Sequence, residues 1–207
     1  IDGEVDAVVA RGNVLVVPRH FPLCADCNRL VPRSLHPDAC RRALIAEAAG
    51  ALGGDDAFAK AHHALFALQG DAGDAPTDPV DAVLLATGLD RTALIDRMTS
   101  DPVRAAVAAD IEDAVALGVT YTPMVFVNGH EWKWYRTSQS LADLVNRVSS
   151  QSLAVVAPPG AAERLVDDWR AGSAIRSLDA EELQPFTLRD GPADGRKVPD
   201  VVVWLDY

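Results

Sequence analysis

No uncharged apolar run in this chain approaches the roughly 18 residues that a membrane-spanning helix requires. Positive charge is scarce: 19 Lys and Arg stand against 30 Asp and Glu, a formal net charge of −11 over 207 residues. So acidic a surface repels phosphate backbones and anionic lipid heads, so neither nucleic acid nor membrane insertion is expected. There is no glycine-rich phosphate loop and no Gly-x-Ser-x-Gly elbow, which removes nucleotide cradling and α/β-hydrolase chemistry. No signal sequence is visible, and the chain begins with Ile1. Cysteine is limited to Cys24, Cys27 and Cys40, an odd count that permits at most one internal disulfide. Against these absences, 49% of residues are apolar and 24% charged, the composition of a folded domain rather than of disorder or a fibre. The length suffices for one well-packed domain with a remainder for a linker or part of a second.

Val14-Leu15-Val16-Val17 reads as a short buried strand. Pro18, Pro22, Pro32 and Pro37 exclude a long helix from the segment that follows. His36-Pro37-Asp38 then opens a helix from Ala39 to about Leu52, closed by Gly53-Gly54, and a second helix spans about Asp55–Gln69. Gly70–Asp78 is a polar turn region. Helices are predicted at Pro79–Thr87, Arg91–Thr99 and Pro102–Leu117, so residues of about 36–117 form an all-helical block. The period then changes. Met124–Val127 is a strand, Asn128-Gly129 a hairpin turn, and Glu131–Tyr135 the returning strand. An amphipathic helix closes this part at about Ser138–Val148, with Leu141, Leu144, Val145 and Val148 on one face. Residues 151–200 hold an apolar run at Leu153–Val156, a helix at Ala161–Ala171 and a turn-rich stretch at Gly191–Pro199. The chain stops at Val201–Tyr207, which reads as a core strand.

The stretch from Gly118 through Thr122-Pro123 to Asn128-Gly129 resembles the best-marked segment of DsbA-like thiol–disulfide oxidoreductases, members of the thioredoxin-fold superfamily. Arg19-His20-Phe21-Pro22-Leu23, His36-Pro37-Asp38-Ala39, and Ala57-Phe58 through His62 to Leu65-Phe66 are similar to further parts of the same family, in family order over about residues 5–150. The resemblance implies an α/β fold: a thioredoxin-like mixed sheet with an inserted all-helical block. It implies that Pro123 is a cis-proline and that Thr122 contacts an extended substrate peptide through its backbone. It further implies dithiol–disulfide exchange on extended or unfolded cysteine-containing proteins, with a redox partner protein, either membrane-bound or free, no cofactor, and a periplasmic or otherwise outward-facing location.

The sequence departs from the family pattern in two places. The family's catalytic Cys-x-x-Cys follows an earlier strand and starts a long helix, and only about thirteen residues precede Val14. Val201–Tyr207, ending in Asp-Tyr, is similar to that earlier strand. Residues 1–150 therefore read as a DsbA-like domain lacking its usual first strand–Cys-x-x-Cys–helix. Residues 151–207 read as a linker plus the start of a second module, the whole being a fragment of a tandem protein or, alternatively, a permuted one. In that arrangement strand 201–205 fills the gap between Val14–Val17 and Met124–Val127, parallel to the first and antiparallel to the second, because unpaired backbone in a sheet centre is too costly.

Cys24-Ala25-Asp26-Cys27 is the one Cys-x-x-Cys present, which makes Cys24 and Cys27 the candidate catalytic residues. Pro32 and Pro37 deny them a following helix dipole, and Asp26 disfavours a neighbouring thiolate. The competing assignment is a structural Cys27–Cys40 bridge that staples the loop and leaves Cys24 unpaired; a Cys24–Cys40 bridge fits the same spacing. No metal site is assigned. His20, His36 and His130 lack a carboxylate or cysteine partner at ligand spacing, apart from the cysteine loop itself, and His62-His63 point apart on a helix. A zinc-stabilised loop from Cys24, Cys27, His36 and Cys40 is a third reading, by ligand count alone. A non-catalytic peptide-binding module built on Thr122-Pro123 is the second. Trp132, Trp134 and Tyr135 are read as packing residues.

Overall fold

A computed structural model describes residues 2–11, 14–69, 78–133, 140–150 and 200–206. The helix predicted at Ala161–Ala171, the run at Leu153–Val156, the stretch Gly191–Pro199, most of the turn region 70–78, and Trp134 and Tyr135 lie outside the described residues. The chain divides into two units. One comprises residues 1–19 and 116–204, the other residues 20–115 and 205–207.

The first unit holds the sheet. Its first element, helix α1 (Asp2–Arg11), goes unassigned by the sequence pattern. Ten residues with Gly3 and three β-branched valines have little intrinsic helicity, so tertiary packing decides. Val5 and Val8 are buried on one face, and Glu4 Oε2 accepts a hydrogen bond of 3.1 Å from the Leu141 N–H, at the start of helix α6 (Leu141–Ser150). Strand β1 (Leu15–His20) extends past the predicted Val17 and includes Pro18. It is the outermost described strand on its side of the sheet, where a missing N–H is tolerated.

Strand β2 (Met124–Val127) is buried at all four positions and turns through Asn128 (φ 47°) and Gly129 (φ 81°) into β3 (His130–Glu131). Two successive positive φ values are the type I′ requirement that Asn-Gly meets. Beyond the short β3, the Trp132 N–H still bonds the Val125 carbonyl at 2.8 Å. Strand β4 (Asp200–Leu205) lies between β1 and β2, giving the order β1–β4–β2–β3. It pairs antiparallel with β2, Met124 opposite Trp204 and Val127 opposite Val201. The Phe21 N–H donates to the Leu205 carbonyl at 2.8 Å, which joins the carboxyl ends of β1 and β4 and makes that pair parallel. The described sheet is therefore mixed, and the protein is α/β.

The second unit is helical. The helices predicted at Ala39–Leu52 and Asp55–Gln69 run together as α2 (Ala39–Ala67), kinked where Gly54 takes φ 69°, ψ −164°. Glycine adopts that conformation without the Cβ penalty that any other residue would meet. Helix α3 (Pro79–Thr87) starts with Pro at its first position, and the Asp78 carboxylate accepts the Val80 N–H at 2.7 Å. Helices α4 (Arg91–Met98) and α5 (Asp101–Leu117) complete the block, with α3 and α4 both packed on α2.

Candidate functional site

The cysteines sit in the loop that joins β1 to α2, and local hydrogen bonds shape that loop. The Asn28 N–H bonds the Cys24 carbonyl at 3.0 Å, closing a turn over residues 24–28, and Asn28 Nδ2 bonds the Pro22 carbonyl at 3.0 Å. Leu35 and His36 return their N–H groups to the Leu23 carbonyl at 2.9 and 3.2 Å, and the Ala25 N–H finds Ser34 Oγ at 2.9 Å. Cys27 and Cys40 form a disulfide with a Cα–Cα separation of 6.0 Å. Cys24 is a fully buried free thiol that donates to the Pro37 carbonyl at 3.2 Å.

This pairing bears on two sequence-based expectations. Cys24 and Cys27 are not bonded to each other in this structure, where the Cys27 sulfur is joined to Cys40. The zinc-stabilised loop is corrected for the same reason: two of its four ligands are joined to each other and are not thiolates. Closing a loop of this length stabilises the fold by about 3 kcal/mol. Cys27→Ser is expected to lower the unfolding free energy by about that amount in urea titration, and a loss below about 1 kcal/mol would show that the bridge constrains little.

Residues from the far end of the sequence complete this region. The Asp206 carboxylate accepts the Leu23 N–H at 2.8 Å and contacts His36 Nδ1, while Gln69 Nε2 donates to the Asp206 carbonyl at 3.2 Å. Burial pushes the Asp206 carboxyl above its ordinary value, against the opposing pull of the Leu23 N–H, His36 and Arg42. A cavity of about 410 Å³ opens beside it, lined by Leu35, His36, Pro37, Asp38, Arg42, Leu68 and Gln69. The sequence gives His36 no carboxylate partner because Asp206 is 170 residues away.

A second buried group goes unseen for the same reason. His20 Nε2 lies 3.2 Å from Glu47 Oε1, and the His20 N–H donates to Asp110 Oδ2 at 2.8 Å. All three side chains are buried, and their potential ligand atoms lie within 4.8 Å of one another, so this is a group that could hold a cation. The expectation that His20 has no carboxylate at ligand spacing is therefore corrected: α2 and α5 each bring one. Nearby, His62 is buried between Phe58, stacked at 6.3 Å, and Phe66, edge-on at 4.8 Å. Burial, with smaller contributions from His63 and His20, drops its pKa from 6.5 to about 3.

The other candidate residues belong to the sheet unit. The Thr122–Pro123 peptide is cis, and both residues are half-buried immediately before β2. Tyr121 Oη donates to Glu131 Oε1 at 2.6 Å, which ties the approach to β2 to the start of β3's return. Trp132 is buried, in keeping with packing.

Comparison with known proteins adds one finding. The family model described as DSBA-like thioredoxin domain matches residues 9–148, more than half of the chain. No curated protein and no solved structure matches.

Proposed function

The chain belongs to the DSBA-like thioredoxin domain family, a family of thiol–disulfide oxidoreductases, and from that membership we propose that it serves thiol–disulfide exchange on extracytoplasmic proteins. Its substrates are extended or unfolded cysteine-containing segments, and a redox partner protein sets the direction of exchange. The observation that carries this reading is the family match, which spans Arg19–Leu23, the helical block and Thr122-Pro123. Two features of the molecule support it. Thr122 and Pro123 are half-buried immediately ahead of β2, the position at which the family holds an extended peptide along the backbone. A disulfide is also maintained at an exposed cysteine, as suits an oxidising compartment. Among the described residues no helix is long and apolar enough to cross a membrane.

The 207 residues contain one Cys-x-x-Cys, and its second sulfur is held by Cys40. Turnover of this chain by itself is therefore expected to be low. In an insulin-reduction assay with a dithiol reductant, the rate should fall below about a hundredth of a normal oxidoreductase's, the scale of loss seen when a nucleophile is missing. Robust turnover abolished by Cys24→Ser would overturn this and make Cys24 the nucleophile.

The locked Cys27 also favours a second reading, a non-catalytic module that holds extended peptides at Thr122-Pro123. Peptide binding followed by fluorescence anisotropy separates the two. Binding that is unchanged in Cys24→Ser, with the bridge intact, supports the module, whereas binding that requires the thiol supports exchange chemistry.

A further inference from the structure

We propose that the Cys24/Cys27/Cys40 loop is a thiol–disulfide exchange site in its own right, in which an external thiol attacks Cys27, Cys40 leaves, and Cys24 resolves the adduct. Three placements in one unit carry the assignment. Cys27 is an exposed residue, whereas its bridge partner Cys40 is 8% exposed and Cys24 is fully buried, so of the three cysteines Cys27 is the one that solvent reaches most. Cys40 is the second residue of α2, where the aligned peptide dipoles and unpaired N–H groups of the helix start stabilise a thiolate; the better-stabilised thiolate is the better leaving group. Cys24 is the third thiol. It forms one buried cluster with Ala39 and Cys40, its carbonyl lies 3.6 Å from Cys40 Sγ, and the turn closed by Asn28 places it one helical turn before Cys27. Side chains three residues apart on such a turn stand about 5–6 Å apart at Cβ, so pairing Cys24 with Cys27 takes a tightening of the turn by about 1–2 Å together with side-chain rotation.

The exchange has two steps and consumes no oxidant. An external thiolate bonds to Cys27 Sγ as the Cys27–Cys40 bond breaks, and Cys40 departs with the electron pair. Cys24, its proton passed to solvent, then bonds to Cys27 Sγ and expels the external thiolate. The net result moves the bridge from Cys27–Cys40 to Cys24–Cys27 and leaves Cys40 as the free sulfur at the start of α2. No electrons pass to the external thiol, so the site is compatible with negligible insulin reduction. The substrate class is a small thiol or a cysteine-bearing peptide. With a net charge of −11, and Asp26 beside the attacked sulfur, cationic thiols are favoured over anionic ones.

The test uses the full chain with its bridge intact, treated with cysteamine, quenched by alkylation, and mapped by peptide mass spectrometry. Wild type should convert to Cys24–Cys27 with Cys40 alkylated and carry little adduct. Cys24→Ser keeps the hydrogen bond to the Pro37 carbonyl but lacks the resolving sulfur. It should accumulate a mixed disulfide on Cys27 at least about tenfold above wild type. Cys24→Ala, verified as folded by its thermal transition, should do the same, so a packing defect in either variant is recognised. An adduct on Cys40, equal adduct levels in wild type and variants, or no exchange at all would each overturn the proposal. Because the mapping reads a single exchange within the loop, its failure leaves the family-based oxidoreductase reading standing, and the insulin assay can fail without touching the loop.

Discussion

Acidification from pH 6.5 to 3 is expected to cost this protein on the order of 5 kcal/mol of stability through His62 alone. The sign follows from which state binds the proton. In the unfolded chain His62 titrates near 6.5, whereas in the folded chain burial among Phe58 and Phe66, with His63 and His20 adding to it, holds the imidazole neutral down to about 3. Between those values the unfolded state takes up a proton that the folded state refuses, so the stability present above pH 6.5 is lost as the pH falls. At about 1.4 kcal/mol per pH unit the full window amounts to about 5 kcal/mol, of which about 2 is gone by pH 5. His62→Phe keeps an aromatic ring in the Phe58–Phe66 stack and removes the titration. The measurement is the difference between variant and wild type in unfolding free energy across pH 7 to 4. That difference should shift in the variant's favour as the pH drops. Asp206 acts with the opposite sign: its raised pKa contributes stability at low pH that fades as the pH rises, and it cancels in the comparison because both proteins carry it. Parallel curves for the two proteins would show that His62 is hydrated or protonated in the folded state.

The second large effect is expected at Trp204. This side chain is 1% exposed, lies opposite Met124 on the central strand β4, and meets Phe126 edge-to-face at 5.6 Å. Truncating a buried aromatic to alanine removes its transfer free energy and leaves a cavity, and the Phe126 pair adds to the loss. Trp204→Ala should therefore cost about 4 kcal/mol. The indole N–H makes a distinguishing control. It is buried and has no hydrogen-bond partner among the described residues, so Trp204→Phe sheds an unsatisfied donor while keeping most of the apolar contact. That variant should stay within about 1.5 kcal/mol of wild type. A cost below about 1.5 kcal/mol for Trp204→Ala in denaturant unfolding would mean that β4 is not a core strand.

Much of the fold is written in local signals. The apolar run Met124–Val127 is buried at every position, and Asn128-Gly129 takes the two positive φ values that only such residues accept cheaply. Asp78-Pro79 begins α3 at the predicted residue because the carboxylate and the proline both satisfy the first turn locally. Thr122-Pro123 was visible as a motif because its twelve-residue context is contiguous. Where local signals are weak, the sequence falls short. α1 has poor helix formers and is held by its buried valines and by Glu4 at the start of α6. The glycines at 53 and 54 read as a stop, yet only Gly54 leaves helical geometry and the helix resumes after it.

The sequence by itself determined the family, the α/β class, the helical block and the short list of cysteines, because each of these depends on residues that are neighbours along the chain. Tertiary structure alone decided which cysteine pairs with Cys40, since spacing admits either Cys24 or Cys27 and only the direction of the side chains from the folded loop separates them. It alone joined His36 to Asp206 across 170 positions and brought Glu47 and Asp110 to His20. The physical reason is the same in each case. Local propensity is set by the energetics of a few successive residues, whereas a histidine–carboxylate contact or a disulfide is chosen by the packing of elements that meet only after the chain has folded.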